Sequence, residues 1–238
     1  MEYSKGYKSY LIEGVIVFLS VLFSFYITGL NKIKKDELSK NISLNDLSNT
    51  MINDTLQIRE IIKNKEQSIN NLELIIRDID SKHKLLTDDA FFEAYVQTYV
   101  GQTFMPRKGI FNQLISTGNI ELIQSSELKN NLIELFNHLK ERNESMSRIM
   151  DELVYTVHRP IIYTNFRARL KQTGKEEIYG KSKITDADFN KSFYYSNEFY
   201  EILNSSLGYC VAYKNLMHKM LHEYKKSINL IKTEVSEL

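Results

Sequence analysis

Residues 14–30 read Gly-Val-Ile-Val-Phe-Leu-Ser-Val-Leu-Phe-Ser-Phe-Tyr-Ile-Thr-Gly-Leu, without one charged side chain. A helix needs about 20 apolar residues to cross the roughly 30 Å of hydrocarbon in a bilayer, and residues 9–30 supply that length. Asn31 and Lys32 follow the segment, in place of the small-residue cleavage site that ends a signal peptide. The sequence therefore predicts one uncleaved transmembrane helix behind a short tail, residues 1–8.

Charged residues on the two sides of this span indicate where the helix enters the bilayer and on which side of the membrane the soluble region lies. Glu13 lies where the helix enters the bilayer, so its carboxylate either has a role inside the membrane or only reaches the headgroups. More lysines follow the span than precede it, namely Lys32, Lys34, Lys35 and Lys40 against Lys5 and Lys8. The positive-inside rule then favours, by a narrow margin, a soluble region on the cytoplasmic side. The sequence leaves the side open.

The composition limits the classes of protein that remain. The chain has 238 residues with a formal net charge of +1, and a nucleic-acid-binding protein normally shows a strong positive excess, so we expect no nucleic-acid partner. Two prolines, nine glycines and few strand signals predict an all-α protein, an elongated helical bundle behind the anchor. Cys210 is the only cysteine, which excludes an intrachain disulfide and favours a small buried side chain.

A long helix is predicted directly after the span, over residues 31–81. Residues 34–81 contain neither Pro nor Gly, and apolar side chains recur at spacings of three, four and seven. They are Ile58, Ile62, Ile69, Leu72, Ile76 and Ile79. This coiled-coil-like pattern predicts a stalk continuous with the anchor, whose apolar seam either packs inside the bundle or joins copies of the chain.

Further helices are expected in residues 88–158 and 185–238. The first group turns a corner at 118–126, where Gly118 suits a left-handed helix end and the next helix is capped by Ser125 or Ser126. Pro160 is expected to end that helix. A pairing of Thr185 with Asp188 resembles a capping box for a short helix, and Ser196 is expected to cap the last long one.

Residues 159–184 form a predicted basic loop region, with a possible short helix around 165–172. Its positive side chains include Arg159, Arg167, Arg169 and Lys171. Such a patch would contact phosphate, anionic lipid headgroups or an acidic partner, and the alternative is an ordinary solvated loop.

We predict no catalytic, cofactor-binding or metal-binding residues. His218 and His222 share a helix face, but Lys219 stands where a zinc protease needs Glu, and the pattern supplies no third ligand. The other histidines have no neighbours that suggest catalysis. An aromatic run, Phe189, Phe193, Tyr194, Tyr195, Phe199 and Tyr200, is interpreted as core.

Two segments together resemble a family of single-pass Bacteroidota membrane proteins known only as a domain of unknown function. The first is Tyr10-Leu-Ile-Glu-Gly-Val-Ile-Val-Phe, and the second is Gly109-Ile-Phe-Asn-Gln-Leu-Ile-Ser-Thr-Gly-Asn-Ile-Glu-Leu-Ile-Gln. Members of that family usually carry a longer basic tail and a Trp soon after the anchor, and this chain has neither. The resemblance covers roughly residues 8 to 155. It implies a helical soluble region behind one anchor in the bacterial cytoplasmic membrane, and it supplies no activity.

These patterns favour a membrane-anchored helical scaffold or sensor without catalysis, which forms a homo-oligomer or engages a membrane-protein partner. The alternative is an oligomeric ion-coupled or channel-like assembly in which Glu13 faces a shared interior. A third hypothesis is an enzyme with an unrecognised site near the basic loop.

Overall fold

The computed structural model describes residues 7–99, 103–172 and 182–236. Its first helix, α1, runs from Tyr7 to Asp80 as 74 residues without a break, about 111 Å at 1.5 Å per residue. The predicted continuity of anchor and stalk is confirmed. The physical reason is the lack of helix-breaking residues after Gly29 and a supply of good helix formers such as Leu, Lys, Glu and Ile.

The apolar start of α1 has no cover from the rest of the protein. Every side chain from Tyr10 to Leu30 is exposed, whereas a core helix of a water-soluble protein would bury such a face. Among the helices that the structure describes, α1 alone is long and apolar enough to cross a membrane.

The remaining elements follow in chain order. They are α2 (Asp88–Tyr99), α3 (Gly109–Ser116), a 3-10 turn (Asn119–Leu122), α4 (Ser126–Ile133), α5 (Lys140–Glu152), α6 (Arg159–Asn165), β1 (Phe166–Gln172), β2 (Ser182–Phe189), α7 (Lys191–Tyr194) and α8 (Asn197–Ser236). Two π-helical segments, Glu134–Leu139 and Leu153–His158, join α4, α5 and α6 into one helical run. The all-α prediction is therefore confirmed, with one small antiparallel hairpin added.

Helix α8 packs antiparallel along α1. Lys40 meets Glu234 near one end of the pair, and Asp80 meets Tyr200 at the other. We call the end near Lys40 the proximal end, because it adjoins the apolar segment, and the end near Asp80 the distal end. The bundle is thus built along the second half of α1, from about Lys40 to Asp80, with α2 and the hairpin at the distal end.

The core lies mainly between α1 and α8. The predicted stalk seam belongs to it, since Ile58, Ile62, Ile69 and Leu72 are buried while Ile76 and Ile79 are half-buried against the same core. A second copy of the chain could contact these side chains only if the bundle opened. The seam therefore packs inside the bundle of a single chain. The alternative expectation, that these six residues join copies, is corrected.

The corner at 118–126 forms as predicted. Gly118 has a φ of +75°, in the left-handed region that side chains with a Cβ rarely adopt. The Ser125 hydroxyl then accepts a hydrogen bond from the Leu128 N–H at 3.1 Å and caps α4. At the start of α8, Ser196 caps Phe199 in the same way.

The prediction that Pro160 ends the long helix is wrong. Helical backbone continues through Pro160 to Asn165, directly after the π-helical segment Leu153–His158. A proline removes one N–H donor and presses its ring on the carbonyl four residues earlier. The wider π turn before Pro160 relieves that contact, so the chain continues as α6.

The short helices expected around 165–172 and at Thr185–Asp188 are also wrong, because both segments are strands. Phe166 pairs with Phe189 and Arg167 with Asp188, with one register shift between Arg169 and Leu170. The sequence Phe-Arg-Ala-Arg-Leu-Lys alternates apolar and charged residues, and that period of two is typical of a strand.

Candidate functional site

The distal end of α1 closes in a strained turn. Lys82 and His83 both have positive φ values, 62° and 56°, although neither is glycine. Side chains with a Cβ adopt this region at a cost, so the surrounding contacts must hold it. The His83 N–H donates to the Asp78 carbonyl at 2.8 Å, which closes the turn on the last residues of the helix.

The His83 imidazole lies between two carboxylates. Its Nδ1 is 2.5 Å from Asp78 Oδ2, and its Nε2 is 2.7 Å from Asp88 Oδ1. A carboxylate can only accept, so both ring nitrogens must donate, and the geometry selects the positively charged imidazolium. His83 therefore links the end of α1 to the start of α2. We call these three residues, with Tyr194, the distal clamp.

Asp78 is the acceptor on which the distal clamp depends. Its buried carboxylate accepts from the Tyr194 hydroxyl, from His83 and from the backbone N–H groups of Leu85 and Leu86. Burial raises the pKa of this carboxyl, but the four donors outweigh it and hold the pKa below its ordinary value. Burial and the same Asp78 contact raise the pKa of the Tyr194 phenol.

Asp88 joins the clamp to the hairpin region. The Lys191 ammonium donates to Asp88 Oδ1 at 2.7 Å and lies 3.7 Å from the centre of the Phe189 ring. Hydrogen bonds from Lys191 and His83 outweigh burial and lower the pKa of the Asp88 carboxyl. Four elements, α1, α2, β2 and α7, thus meet around one imidazolium.

Aromatic side chains enclose the distal clamp. The His83 ring makes edge contacts with Phe189 and Tyr194 at 5.4 and 5.2 Å between ring centres, and Phe91 packs on both of those rings. The interpretation of the aromatic run as core is confirmed for Phe189, Tyr194 and Phe199, which are all buried. Both nitrogens of His83 are engaged and its surroundings are packed, so the arrangement fixes the turn rather than presenting a base to a substrate.

A second histidine, His158, is buried and neutral, whereas His83 is charged. His158 Nδ1 is 2.9 Å from the Tyr95 hydroxyl, and Nε2 is 3.1 Å from Ser206 Oγ. Ser206 already donates its proton to the Ile202 carbonyl, so it accepts from Nε2, and Nδ1 accepts from Tyr95. This is a neutral imidazole. Burial alone lowers the pKa of His158 to about 4.

A buried ion pair fixes the proximal end. Lys40, at 0% exposure, donates to Glu234 Oε1 at 3.0 Å, which ties α1 to the last turns of α8. The same carboxylate accepts from the backbone N–H groups of Gln124 at 2.8 Å and Ser125 at 2.9 Å, at the start of α4. These contacts outweigh burial and lower the pKa of Glu234. We call Lys40, Glu234 and these two N–H groups the proximal clamp.

The corner that carries the family resemblance lies beside this clamp. The Asn119 amide donates to Ser39 Oγ at 3.1 Å, and Ile120 and Ile123 are buried in the core. The second segment of the resemblance therefore lies at the point where the bundle begins, while the first lies in the exposed apolar start of α1. This follows from the fold, because α3 and the 3-10 turn both pack on α1.

A third buried carboxylate lies between the two clamps. Asp54 Oδ2 accepts from the Arg107 N–H at 3.1 Å and from the Tyr224 hydroxyl at 3.3 Å, while Oδ1 has no hydrogen-bond partner. Burial raises the pKa of this carboxyl despite the lowering effect of Arg107 and Tyr224. Asp54 thus couples α1 to α8 and to the segment before α3.

The predicted basic loop region is divided between α6, which contains Arg159, and the hairpin at the distal end, where β1 contains Arg167, Arg169 and Lys171; residues 173–181 lie outside the described residues. Arg167 is paired across the strands with Asp188, and Arg169 with Asp186. Opposite charges on paired strands offset one another at these two positions, whereas the register also pairs Lys171 with Lys183, which are both positive. Arg159 stacks on Tyr155 at 4.3 Å from the ring centre, and the side chain of Lys171 lies outside the described residues.

Distance also separates this hairpin from the apolar segment. It packs against α2, and Phe189 of β2 contacts His83 just beyond Asp80, the end of α1, which lies about 75 Å along the helix from Leu30 at 1.5 Å per residue. The expected contact of these arginines with lipid headgroups stays a prediction, and this distance counts against it if α1 stands upright in a bilayer. Contact with phosphate or an acidic protein stays a prediction.

Other candidate residues are placed as follows. Glu13 is exposed in the first turns of α1, within the candidate span. His218 and His222 are exposed on α8, and the described residues contain no cluster of three or more His, Cys, Asp or Glu side chains suited to a metal ion. Cys210 is buried, as expected.

Sequence reasoning missed both clamps. For the distal clamp a signal existed, because Asp78 and Asp88 stand five residues before and after His83, across a predicted helix end. For the proximal clamp no local signal exists, since Lys40 and Glu234 are separated by almost the whole chain.

Comparisons with known proteins support a family and nothing finer. No curated protein and no solved structure matches the chain. Residues 13–191, three-quarters of the sequence, match the family of unknown function DUF6090, from the first turns of α1 through the hairpin to the first residue of α7. The second segment quoted from the sequence lies within that range, and the first does so from Glu13 onward, so Glu13 and Gly118 are both included. The chain belongs to the DUF6090 family.

Proposed function

We propose that this protein is a membrane-anchored helical scaffold, which holds a rigid bundle at a fixed distance from the bilayer and works through protein contacts rather than catalysis. The observation that carries the proposal is the continuity of α1. One helix supplies the exposed apolar segment, the lysines that follow it and the central element of the core. Such a helix transmits position and orientation without a hinge.

The polar interior supports a structural role. In the distal clamp, the His158 site and the proximal clamp, the polar atoms form hydrogen bonds between helices. Their carboxylates and ring nitrogens are held by internal donors and acceptors. A catalytic group needs a lone pair or proton that can reach a substrate. In these three clusters the groups reach other helices instead.

The anchor is assigned to the bacterial cytoplasmic membrane, as the resemblance implies. The lysines after Leu30, against the fewer that precede the span, favour a bundle on the cytoplasmic side. A reporter that is active on only one side of the membrane, fused to the C-terminus, tests this assignment.

The scaffold proposal is tested on the full chain in native membranes. The protein should stay in the membrane fraction after carbonate washing, and mild crosslinking followed by native electrophoresis should trap it in an assembly larger than one chain. A matched variant with Val17→Lys and Val21→Lys should leave the membrane, because two charges near the centre of the span cost several kcal/mol. A wild-type chain that is washed off, or that stays strictly monomeric in the membrane, would contradict the proposal.

A further inference from the structure

A second apolar stripe runs along α1 on the side that faces away from the bundle. Its apolar members are largely exposed, Leu38 by 61%, Ile42 by 53%, Ile52 by 42% and Leu56 by 55%. Asn45 and Asn49 complete it and are also exposed. The opposite side of the same turns is fully buried in the core, at Leu44, Leu47 and Met51. We call these six exposed residues the outer stripe.

The spacing of the outer stripe is that of a coiled coil. Its members follow one another at intervals of four, three, four, three and four residues. Leu38, Asn45 and Ile52 occupy one core position of the heptad, and Ile42, Asn49 and Leu56 occupy the other. Since α8 already covers the other side of α1, this second heptad face is left for a partner outside the chain.

The chemistry of the stripe suits an identical partner. It contains no charged residue, so two copies would not repel one another. Asn45 and Asn49 form its two middle layers, and an amide side chain both donates and accepts, so it pairs with the same amide on a second copy. Buried Asn layers of this kind fix the register and the number of strands in parallel coiled coils.

The candidate span would set two copies in the required orientation. Anchored copies point the same way and lie at the same height, which brings Asn45 opposite Asn45 and Asn49 opposite Asn49. The same heptad register also continues backward into the span, where Val17, Val21, Ser24 and Thr28 line a shallow groove on the helix. Phe25 also lines this groove, but Ser20, Ser24 and Thr28 are of the small type that lets transmembrane helices approach closely.

The limits of the stripe are set by charge. Continuing the register places Lys35 before Leu38, and Arg59 and Lys63 after Leu56, all exposed. Like charges would face each other at those layers, so outside the candidate span the contact is confined to residues 38–56, about 27 Å of helix. That length is marginal for a free coiled coil, and confinement in the bilayer supplies the effective concentration that a short seam lacks.

We infer that the outer stripe is the interface of a parallel homodimer, in which two copies of α1 meet through residues 38–56 and through the Val17–Thr28 face within the membrane. The inference rests on the proposed scaffold, because the anchor aligns the copies. It replaces the buried seam of Ile58 to Ile79 as the surface through which the chain assembles. The two bundles then lie on opposite outer sides of the α1 pair.

Single cysteines test the interface in native membranes, in a Cys210→Ala background. Ile42→Cys and Asn49→Cys should form disulfide dimers under copper–phenanthroline, because facing core positions of a coiled coil bring the Cα atoms within disulfide range. Asn215→Cys, on the exposed side of α8, is the matched control and should stay monomeric. Adding Ile52→Lys to Asn49→Cys should lower the dimer yield about tenfold, since a buried unpaired charge opposes the contact.

The outcomes separate this interface from the scaffold itself. Equal crosslinking at Asn49→Cys and Asn215→Cys, or an Asn49→Cys product whose mass is not twice that of the chain, would overturn the homodimer. If the wild-type chain is still trapped in a larger assembly in either case, the scaffold proposal survives with a different partner. If no assembly of any kind is found, both proposals fall. Ile52→Lys lies on an exposed face, so its circular dichroism should match that of the parent.

Discussion

The two ends of the bundle are held by charge in different ways. The proximal clamp uses Lys40 and Glu234, a fully buried ion pair whose carboxylate also caps the start of α4. The distal end uses histidines of opposite protonation, one charged between Asp78 and Asp88, the other neutral beside Tyr95 and Ser206. The proximal end, nearest the candidate span, is therefore insensitive to mild acid. The distal end contains His158, which responds to it.

The largest effect is expected from breaking the proximal clamp. Glu234→Ala leaves the Lys40 ammonium buried without a counter-charge, and it removes the acceptor of the Gln124 and Ser125 N–H groups. The free energy of unfolding should therefore fall by about 3–5 kcal/mol. Urea unfolding of the chain in nanodiscs measures this loss. Glu121→Ala is the control, because its ion pair with Lys129 is solvent-exposed and should be worth less than about 1 kcal/mol. Equal losses in the two variants would show that the buried pair is not a clamp.

Acid should separate the two ends next. His158 takes up a proton near pH 6.5 when unfolded and only near pH 4 when folded, so the unfolded state binds more protons between these values. Stability is full above pH 6.5 and falls by about 3 kcal/mol as the pH drops to 4. His158→Gln should remove this slope, and His218→Gln, on the exposed face of α8, should not.

Hydrogen exchange assigns that loss to one end. Between pH 6.5 and 4.5 the amides around Tyr95 and Ser206 should lose protection, after correction for the intrinsic pH dependence of exchange. Those of Gln124 and Ser125 should keep it, because the pKa of Glu234 is lowered and its stabilisation persists until the pH falls below the ordinary carboxyl range. Equal loss at both ends would contradict the comparison.

Removing one donor from the distal clamp should have a smaller effect. Tyr194→Phe leaves Asp78 with His83 and two backbone donors, so the cost should be about 1–2 kcal/mol. The pKa of Asp78 should also rise toward its ordinary value, so this carboxyl loses less stability as the pH falls below the ordinary carboxyl range, and the dependence of stability on acid becomes shallower. Tyr200→Phe is the control, because the Tyr200 hydroxyl is exposed and lies 3.5 Å from Asp80. An equal effect in both variants would argue against the clamp.

Substitutions of two glycines, Gly118 and Gly208, test whether the left-handed turn at the proximal corner is required. Gly118→Ala should lose about 1 kcal/mol, because a Cβ disfavours the left-handed backbone even though the space around it is open. Gly208→Ala should gain about 0.5–1 kcal/mol, since Gly208 lies within α8 and nothing crowds its Cβ position. The opposite signs can be read from thermal unfolding of the two variants. The same sign in both would mean that the Gly118 turn is not required.

The sequence specified α1 and the corner well, and the local reasons are clear. A charge-free apolar run followed by residues 34–81 without Pro or Gly leaves helix as the only regular structure, and Gly118 with Ser125 marks a helix end and a helix start. The hairpin was missed because a short helix was assigned to Phe166–Gln172 despite its period of two. Pro160 was misjudged because tolerance of proline depends on a π turn that no simple pattern announces.

The candidate sites were predicted less well than the fold. Glu234 meets Lys40, and His158 meets Ser206, through contacts between elements distant in the chain, and hydrophobic periodicity does not encode such pairings. The buried face of Ile58 to Ile79 was identified correctly as a seam, but its partner was α8. Only the structure shows that the outer stripe is the face left open.

The smallest effect is expected at Glu13. In the scaffold its carboxylate lies at an interface, so Glu13→Gln should change unfolding by less than about 0.5 kcal/mol and leave membrane association and assembly unaltered. Crosslinking yield and carbonate extraction measure both. A large loss of assembly would favour the ion-coupled alternative, in which the charge faces a shared interior.

The central claim is that α1 holds the distal end of the bundle far from the bilayer. Energy transfer from a dye to acceptor-labelled headgroups in nanodiscs tests it, with the dye on Lys84→Cys beyond the end of α1 or on Lys34→Cys beside the span, both in the Cys210→Ala background. We predict efficient transfer from Lys34→Cys and almost none from Lys84→Cys, because Lys34 and the end of α1 at Asp80 lie about 70 Å apart along the helix. Equal transfer from both positions would mean that the bundle folds back onto the membrane, and it would contradict the account.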